Sequence, residues 1–251
     1  MSKNKETYYY GQGKVYLAKR DSEGKPVDLR WVGDVSELAA TLNVESLSHK
    51  ESYSGQRTTA RKLVIGTEGE VSAKFHEMSH ENLALLLRGN TTEVGGNSVS
   101  GEKLPRTITA GQRIPLAHQN VSSVTINTLE ENTDFEVDKV FGVVTFLKPQ
   151  SDFEQIVSYN YGKVTNTAML TEQAEDLFLR YEGVNLAENN QYQLVELYKV
   201  NFEPASALAL INTENSLAVL DAKAAILADN TKASDNTLGR FGRVVTINPE
   251  M

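Results

Sequence analysis

The chain has 251 residues, 40% of them hydrophobic, which is enough apolar material for one large domain or two small ones. It contains no cysteine, which excludes a disulfide scaffold, a thiolate metal site and thiol catalysis. Its net charge of −8 disfavours general binding to nucleic acid or an anionic membrane, because phosphate contacts need a positive patch.

The first residues, Met1-Ser-Lys-Asn-Lys-Glu6, lead into three tyrosines at 8–10 with no apolar core, so no secretory signal is expected. No apolar run reaches membrane-spanning length. The expectation is a protein made and kept in the cytoplasm, or one that leaves it inside a larger particle. Val15 and Leu17 alternate with Lys14, Tyr16 and Ala18, a strand pattern, and 21–26 is a turn cluster of Asp, Ser, Glu, Gly, Lys and Pro. Leu38, Ala40, Leu42 and Val44 mark a second strand. Residues 46–61 are polar and aperiodic, carry Lys50, Arg57 and Arg61, and read as a long functional loop.

Val71, Ala73 and Phe75 alternate with Glu70, Ser72, Lys74 and His76, a half-buried strand. A helix over about 79–88 should follow. Ser79 suits its N-cap, Glu81 its first turn, and Met78 with Leu83 a hydrophobic staple. Leu83, Leu86 and Leu87 form its apolar stripe and Gly89 its C′ residue. Residues 90–103, rich in Gly, Asn, Thr and Ser, read as a linker. Closely spaced strands follow at 122–127, 134–139, 142–147 and 154–161, with Gly142 in a hairpin turn. This block, 104–165, reads as a β-rich insertion in a domain made of 1–103 and 166–251. Longer strands return at 175–186, 192–203, 216–228 and 242–248. The third contains several alanines that favour a helix, but is assigned as a strand. No fixed-period repeat is visible.

One motif carries chemistry on its face. His76-Glu77-Met78-Ser79-His80 spells H-E-x-x-H, in which two histidines on one helix face bind zinc and the glutamate acts as general base. That reading needs a helix through 76–80, whereas the pattern puts His76 on a strand and His80 at a helix start. Position 83 is Leu rather than the Gly of the extended motif, and His49 and His118 are the only other imidazoles. Gly11-Gln-Gly13 precedes a strand instead of following one, so it is no dinucleotide fingerprint. No phosphate loop occurs, and Ser54-Gly55 lacks the leading glycine of a nucleophile elbow. No catalytic residue, cofactor or metal is therefore assigned.

Several segments, taken in order, resemble the tail tube (major tail) proteins of tailed bacteriophages. They are Gly13-Lys-Val-Tyr-Leu-Ala-Lys-Arg20, Val32-Gly-Asp-Val-Ser-Glu-Leu38, Glu51-Ser-Tyr-Ser-Gly55, and Glu70-Val-Ser-Ala-Lys-Phe75 with its leucine helix. Thr133-Asp-Phe-Glu-Val-Asp138, Tyr181-Glu-Gly183 and Phe202-Glu-Pro204 look like the second half of larger members. The resemblance implies a mainly β fold, sandwich- or barrel-like, with one short helix. It implies a non-enzymatic structural subunit of the virion, assembled in the host cytoplasm. Homohexameric rings would stack into a tube and pass genome DNA without binding it specifically. Partners would be further copies of the chain and other tail proteins (tape measure, terminator, distal tail or sheath), with no membrane and no cofactor. The 46–61 loop would touch the adjacent ring through Ser48, His49, Lys50, Glu51, Ser52, Tyr53, Ser54, Gly55, Gln56, Arg57 and Arg61. A zinc-dependent hydrolase using His76, Glu77 and His80 is the competing reading.

Overall fold

The computed structural model describes residues 6–151, 154–212, 217–233, 235 and 237–247. Residues 1–5, 216 and 248, which enter the expectations above, lie outside that set. The fold is mainly β with one short helix. The chain divides into two compact units, one formed by Met1–Asn90 with Ala168–Met251, the other by Thr91–Thr167.

The first unit opens with β1 (Gly11–Arg20), β2 (Pro26–Trp31), β3 (Val35–Lys50), β4 (Thr59–Phe75) and the helix α1 (His80–Leu86). The second holds β5 (Thr91–Val94), β6 (Asn97–Lys103), β7 (Arg113–Pro115), β8 (Val121–Ile126), β9 (Phe135–Asp138), β10 (Val143–Phe146), β11 (Ile156–Tyr161) and β12 (Val164–Thr167). The chain then returns to the first unit as β13 (Asp176–Asn185), β14 (Gln191–Phe202), β15 (Leu220–Ile226) and β16 (Gly242–Ile247).

In the first unit the strands order as β2-β1-β13-β14-β15-β4-β3, and β16 pairs with β14. One face of this sheet is the core: Val15, Leu17, Val71, Phe75, Leu179, Val200 and Ile226 are nearly inaccessible there, with Leu86 of α1. Burial of this set is the main stabilising term of the unit. The alternation of side chains along β14 is broken. Leu177 pairs with Val200 but Leu179 with Leu197, so β14 carries one extra residue in between. Leu197 and Val200 therefore both join the core, while Tyr198 packs with Ala18 and Phe178 in a separate cluster. Glu196, buried beside it, receives Arg180 (2.8 Å) and Arg243 (2.6 Å) and so ties β13 and β16 to β14 through paired charge. The alanine-containing 217–227 segment is a strand at 220–226, because β14 and β4 flank it and Ala222 and Ala224 pack into the core.

The polar hub of this unit is Asn82, fully buried on α1. Its side-chain amide donates to the carbonyls of Val32 (2.8 Å) and Glu77 (2.9 Å), and its oxygen accepts from Arg30 Nη1 (2.8 Å). Its backbone N–H donates to Ser79 Oγ (3.2 Å), the N-cap interaction expected from sequence. The helix ends one residue earlier than its leucine stripe suggests. Arg88, with φ +47°, takes the left-handed position assigned to Gly89, and the Gly89 N–H closes on the Ala84 carbonyl at 2.9 Å. Gly89 is needed for a different reason: a Cβ there would stand 1.6 Å from the Ala168 carbonyl oxygen.

The second unit begins at 91, not 104, and ends at 167. The 90–103 segment read as a linker is mostly strand, since β5 pairs with β12 and β6 with β11. Its Thr, Ser and Asn side chains are exposed on short strands, so they carry no apolar alternation to read. Two three-stranded sheets, β7-β10-β9 and β6-β11-β8, share one core of Ile108, Ile126, Phe135, Val144, Phe146 and Val157. Gly142 sits in the β9–β10 turn as expected, with φ +64° and the His118 carbonyl oxygen 2.0 Å from where a Cβ would be.

Asn82→Ala strands two carbonyls and one guanidinium without partners. It should lower unfolding free energy by about 2–4 kcal/mol in urea titration, whereas an exposed control such as Asn43→Ala should stay within about 0.5 kcal/mol.

Candidate functional site

Among the segments that the fold of the first unit leaves uncovered is the β3–β4 hairpin. β4 is paired on both sides only from Gly69 to Phe75, where β15 runs beside it. Before Gly69 its sole partner is β3, which pairs with nothing else among the described residues. Residues 43–50 and 59–68 are thus a two-stranded ribbon, about 27 Å long at 3.4 Å per residue. Such ribbons are marginal in water unless something covers them.

The register shows why this one is apolar. Leu38 opposite Ala73 and Ala40 opposite Val71 share the core face. The same face continues as Leu42 and Val44, and on β4 as Val64, beyond the point where the core ends. Gly66 pairs with Glu45 and Val64 with Ser46, so Ile65 is an extra residue that bulges the ribbon. On the other face Leu47 lies directly opposite Leu63. These six apolar side chains are 46–67% exposed.

The 46–61 segment is not the long loop its polarity suggests. Ser48, His49 and Lys50 end β3, Arg61 lies on β4, and only 51–58 form the turn. The misreading has a physical cause: a ribbon wet on both faces has no buried side to impose a period of two. Within the turn, Glu51 is the organising group. It is 4% exposed, and its carboxylate accepts from the Tyr53 and Ser54 N–H groups at 2.9 Å, the Thr58 N–H at 3.2 Å, and the hydroxyls of Ser54 and Thr58. The Glu51 N–H meanwhile donates to the Thr58 carbonyl at 2.9 Å. The Ser54 hydroxyl and the backbone donors hold the Glu51 pKa down at about 2. Ser52, Gly55 and Gln56 fill the turn with Gly55 at φ +80° and Arg57 at φ +52°, and Tyr53 projects at its apex, 88% exposed.

The tip is basic. Lys50, Arg57, Arg61 and Lys62 surround a single carboxylate, Glu51, whose hydrogen-bonding capacity its own turn takes up. The cations of the tip stand out in the sequence as a cluster within a polar segment. Leu42 and Val44 follow from the alternation of the second strand; Leu47, Leu63, Val64 and Ile65 do not, and the Leu63-Val-Ile65 run beside a polar segment is the signal that marks them.

The H-E-x-x-H residues do not share a helix. His76 follows the last residue of β4 and donates its N–H to the Asp34 carbonyl at 3.0 Å, while His80 opens α1. Among the described residues no three or more His, Asp or Glu side chains converge as metal ligands. Elsewhere, in the second unit, Tyr159 donates to Glu102 and shares a 2.9 Å hydrogen bond with His118, whose ring stacks on Tyr161. Burial pushes the Tyr159 hydroxyl's pKa upward, so it stays a neutral donor and belongs to the core of that unit.

A protein-family model described as protein of unknown function UCP028589 matches residues 8–245. No curated protein matches the chain.

Because the folded pKa of Glu51 lies below its ordinary value near 4.5, its contribution is fully present above that value and is lost as pH falls through about 2. Amide exchange at Tyr53, Ser54 and Thr58 should be protected at pH 6 and lose that protection near pH 2. Glu51→Ala should abolish the protection at both pH values while leaving β14 amides unchanged.

Proposed function

The chain belongs to the family of unknown function whose model spans residues 8–245, and from its own residues we propose that it is the repeating structural subunit of a bacteriophage tail tube. Six copies form a ring, and rings stack into the conduit that carries the genome. The observation that supports this reading is the ribbon. A folded unit that extends six apolar side chains beyond its own core is built to be covered by another chain. The open edge of β3 supports it too. Along its sixteen residues one backbone edge has no partner strand among the described residues, which invites uncontrolled pairing unless a neighbour closes it. Charge is compatible with a conduit: six copies at −8 each carry −48, and an acidic lumen repels DNA phosphates rather than holding them. The reading is non-enzymatic. Its partners are further copies and the other proteins of the tail, and DNA passes without specific contact.

Electron microscopy of the purified protein over a range of concentration and salt is the direct test. Rings or tubes are expected; monomers under every condition overturn the reading. Replacing residues 51–58 by Asn-Gly, a turn that closes a two-residue hairpin, should leave the melting temperature within about 2 °C, since the tip adds nothing to the core. The same change should reduce stacking of rings, and normal tubes from this variant would remove the ribbon tip from the assembly contact.

A further inference from the structure

The tube reading leaves open what the ribbon tip touches, and the register of the sheet indicates where that surface lies. Val200 of β14 pairs with Ile226 of β15, and Ile226 pairs with Gly69 of β4. Two antiparallel steps make β4 parallel to β14, with Gly69 level with Val200. The ribbon therefore runs from that level back toward the start of β14, and its tip lies at that end of the sheet.

At the opposite end, where β14 finishes, lies a cavity of about 690 Å3. Leu17, Leu85, Leu177 and Phe202 give it an apolar floor, and Asp28, Glu81, Glu172 and Glu175 stand around it. Its own cations are already engaged. Lys19 pairs with Glu175 at 3.0 Å, Arg30 donates to Asn82, and Arg88 donates to the Phe202 carbonyl at 3.1 Å. Asp28 and Glu172 have no ion pair among the described residues. The tip is its complement. Tyr53 stands out almost fully exposed, and none of Lys50, Arg57, Arg61 and Lys62 has an ion pair among the described residues.

We propose that the ribbon tip of one copy seats Tyr53 in this cavity of a second copy, with Arg57 beside Glu172. The inference rests on the tube reading and names its contact. A tip and a cavity at opposite ends of one sheet make a heterologous, head-to-tail contact, which propagates instead of closing a pair. Tyrosine and arginine are the side chains that anchor interfaces, the ring filling an apolar floor and the guanidinium meeting a carboxylate at its rim. The apolar flanks of the ribbon add on the order of 600 Å2, close to the roughly 800 Å2 that one partner contributes to a stable interface.

The chain has no cysteine, so introduced thiols report one contact cleanly. A variant carrying Gln56→Cys and Gln173→Cys, the latter also lining the cavity, should form a ladder of trimers and longer multimers on oxidation, while either single variant stops at dimers. In sedimentation velocity, Tyr53→Ala, Arg57→Glu and Glu172→Lys should each raise the concentration needed for assembly at least about tenfold. Combining Arg57→Glu with Glu172→Lys should restore it. Monomer melting curves verify that each variant is folded. If wild type forms rings or tubes but the ladder is absent, or if Tyr53→Ala assembles like wild type, the proposed contact is wrong and the tube reading stands. If wild type never assembles, both fall.

Discussion

Backbone pairing on β4 changes at Gly69, and the consequences of that change run through the first unit. On one side of this residue β4 is flanked by β15 and β3, its alternate side chains enter a common core, and the sheet is continuous. On the other side it has β3 alone. The apolar alternation does not stop where the pairing stops, so the same chemistry that builds the core continues into solvent. A sequence optimised only for a monomer would have ended the pattern there, because exposed leucine and valine on both faces of a narrow ribbon favour aggregation over solubility. The ribbon is instead long, paired throughout, and closed by a turn with its own internal order.

That turn also bears on the energetics of contact. A flexible eight-residue loop would lose conformational entropy on docking, at roughly 1–2 kcal/mol per fixed backbone residue. Here the Glu51 carboxylate has already gathered the loop's donors, so much of that ordering precedes any encounter. Its own negative charge is absorbed in the process, leaving the tip's cations free to face outward.

Sequence periodicity revealed the elements whose two sides differ. The strand at Val71, Ala73 and Phe75, the cap at Ser79 and the β9–β10 turn at Gly142 all follow from local chemistry that the fold uses directly. It failed where both sides are alike or where a neighbour alters the count. The ribbon is wet on both faces and read as a loop. The strands at 91–94 and 97–103 expose small polar residues and read as a linker, which displaced the boundary of the second unit. In β14 a single extra residue near Tyr198 moved half the strand onto the other face, and nothing in the local pattern announces it. The H-E-x-x-H letters were legible as a strand-to-cap junction because a period of two and a period of 3.6 meet between them. The Asn82 hub was not legible at all: its partners Arg30 and Val32 are about fifty positions away in the chain.

The placement of the second unit between Asn90 and Ala168 imposes an order of events on synthesis. β1 pairs with β13, some 160 residues downstream, so the first unit's sheet stays incomplete while the entire intervening unit is made. The β3–β4 hairpin needs no such wait, since its strands are neighbours in the chain. For the time it takes a ribosome to add those residues, the hairpin has a formed ribbon and no core beside it. Copies growing on adjacent ribosomes of one message would present these ribbons to each other before any of them has finished folding. The pairing of β16 with β14 is then the last joint to close, and it marks the moment at which a nascent chain becomes a finished part.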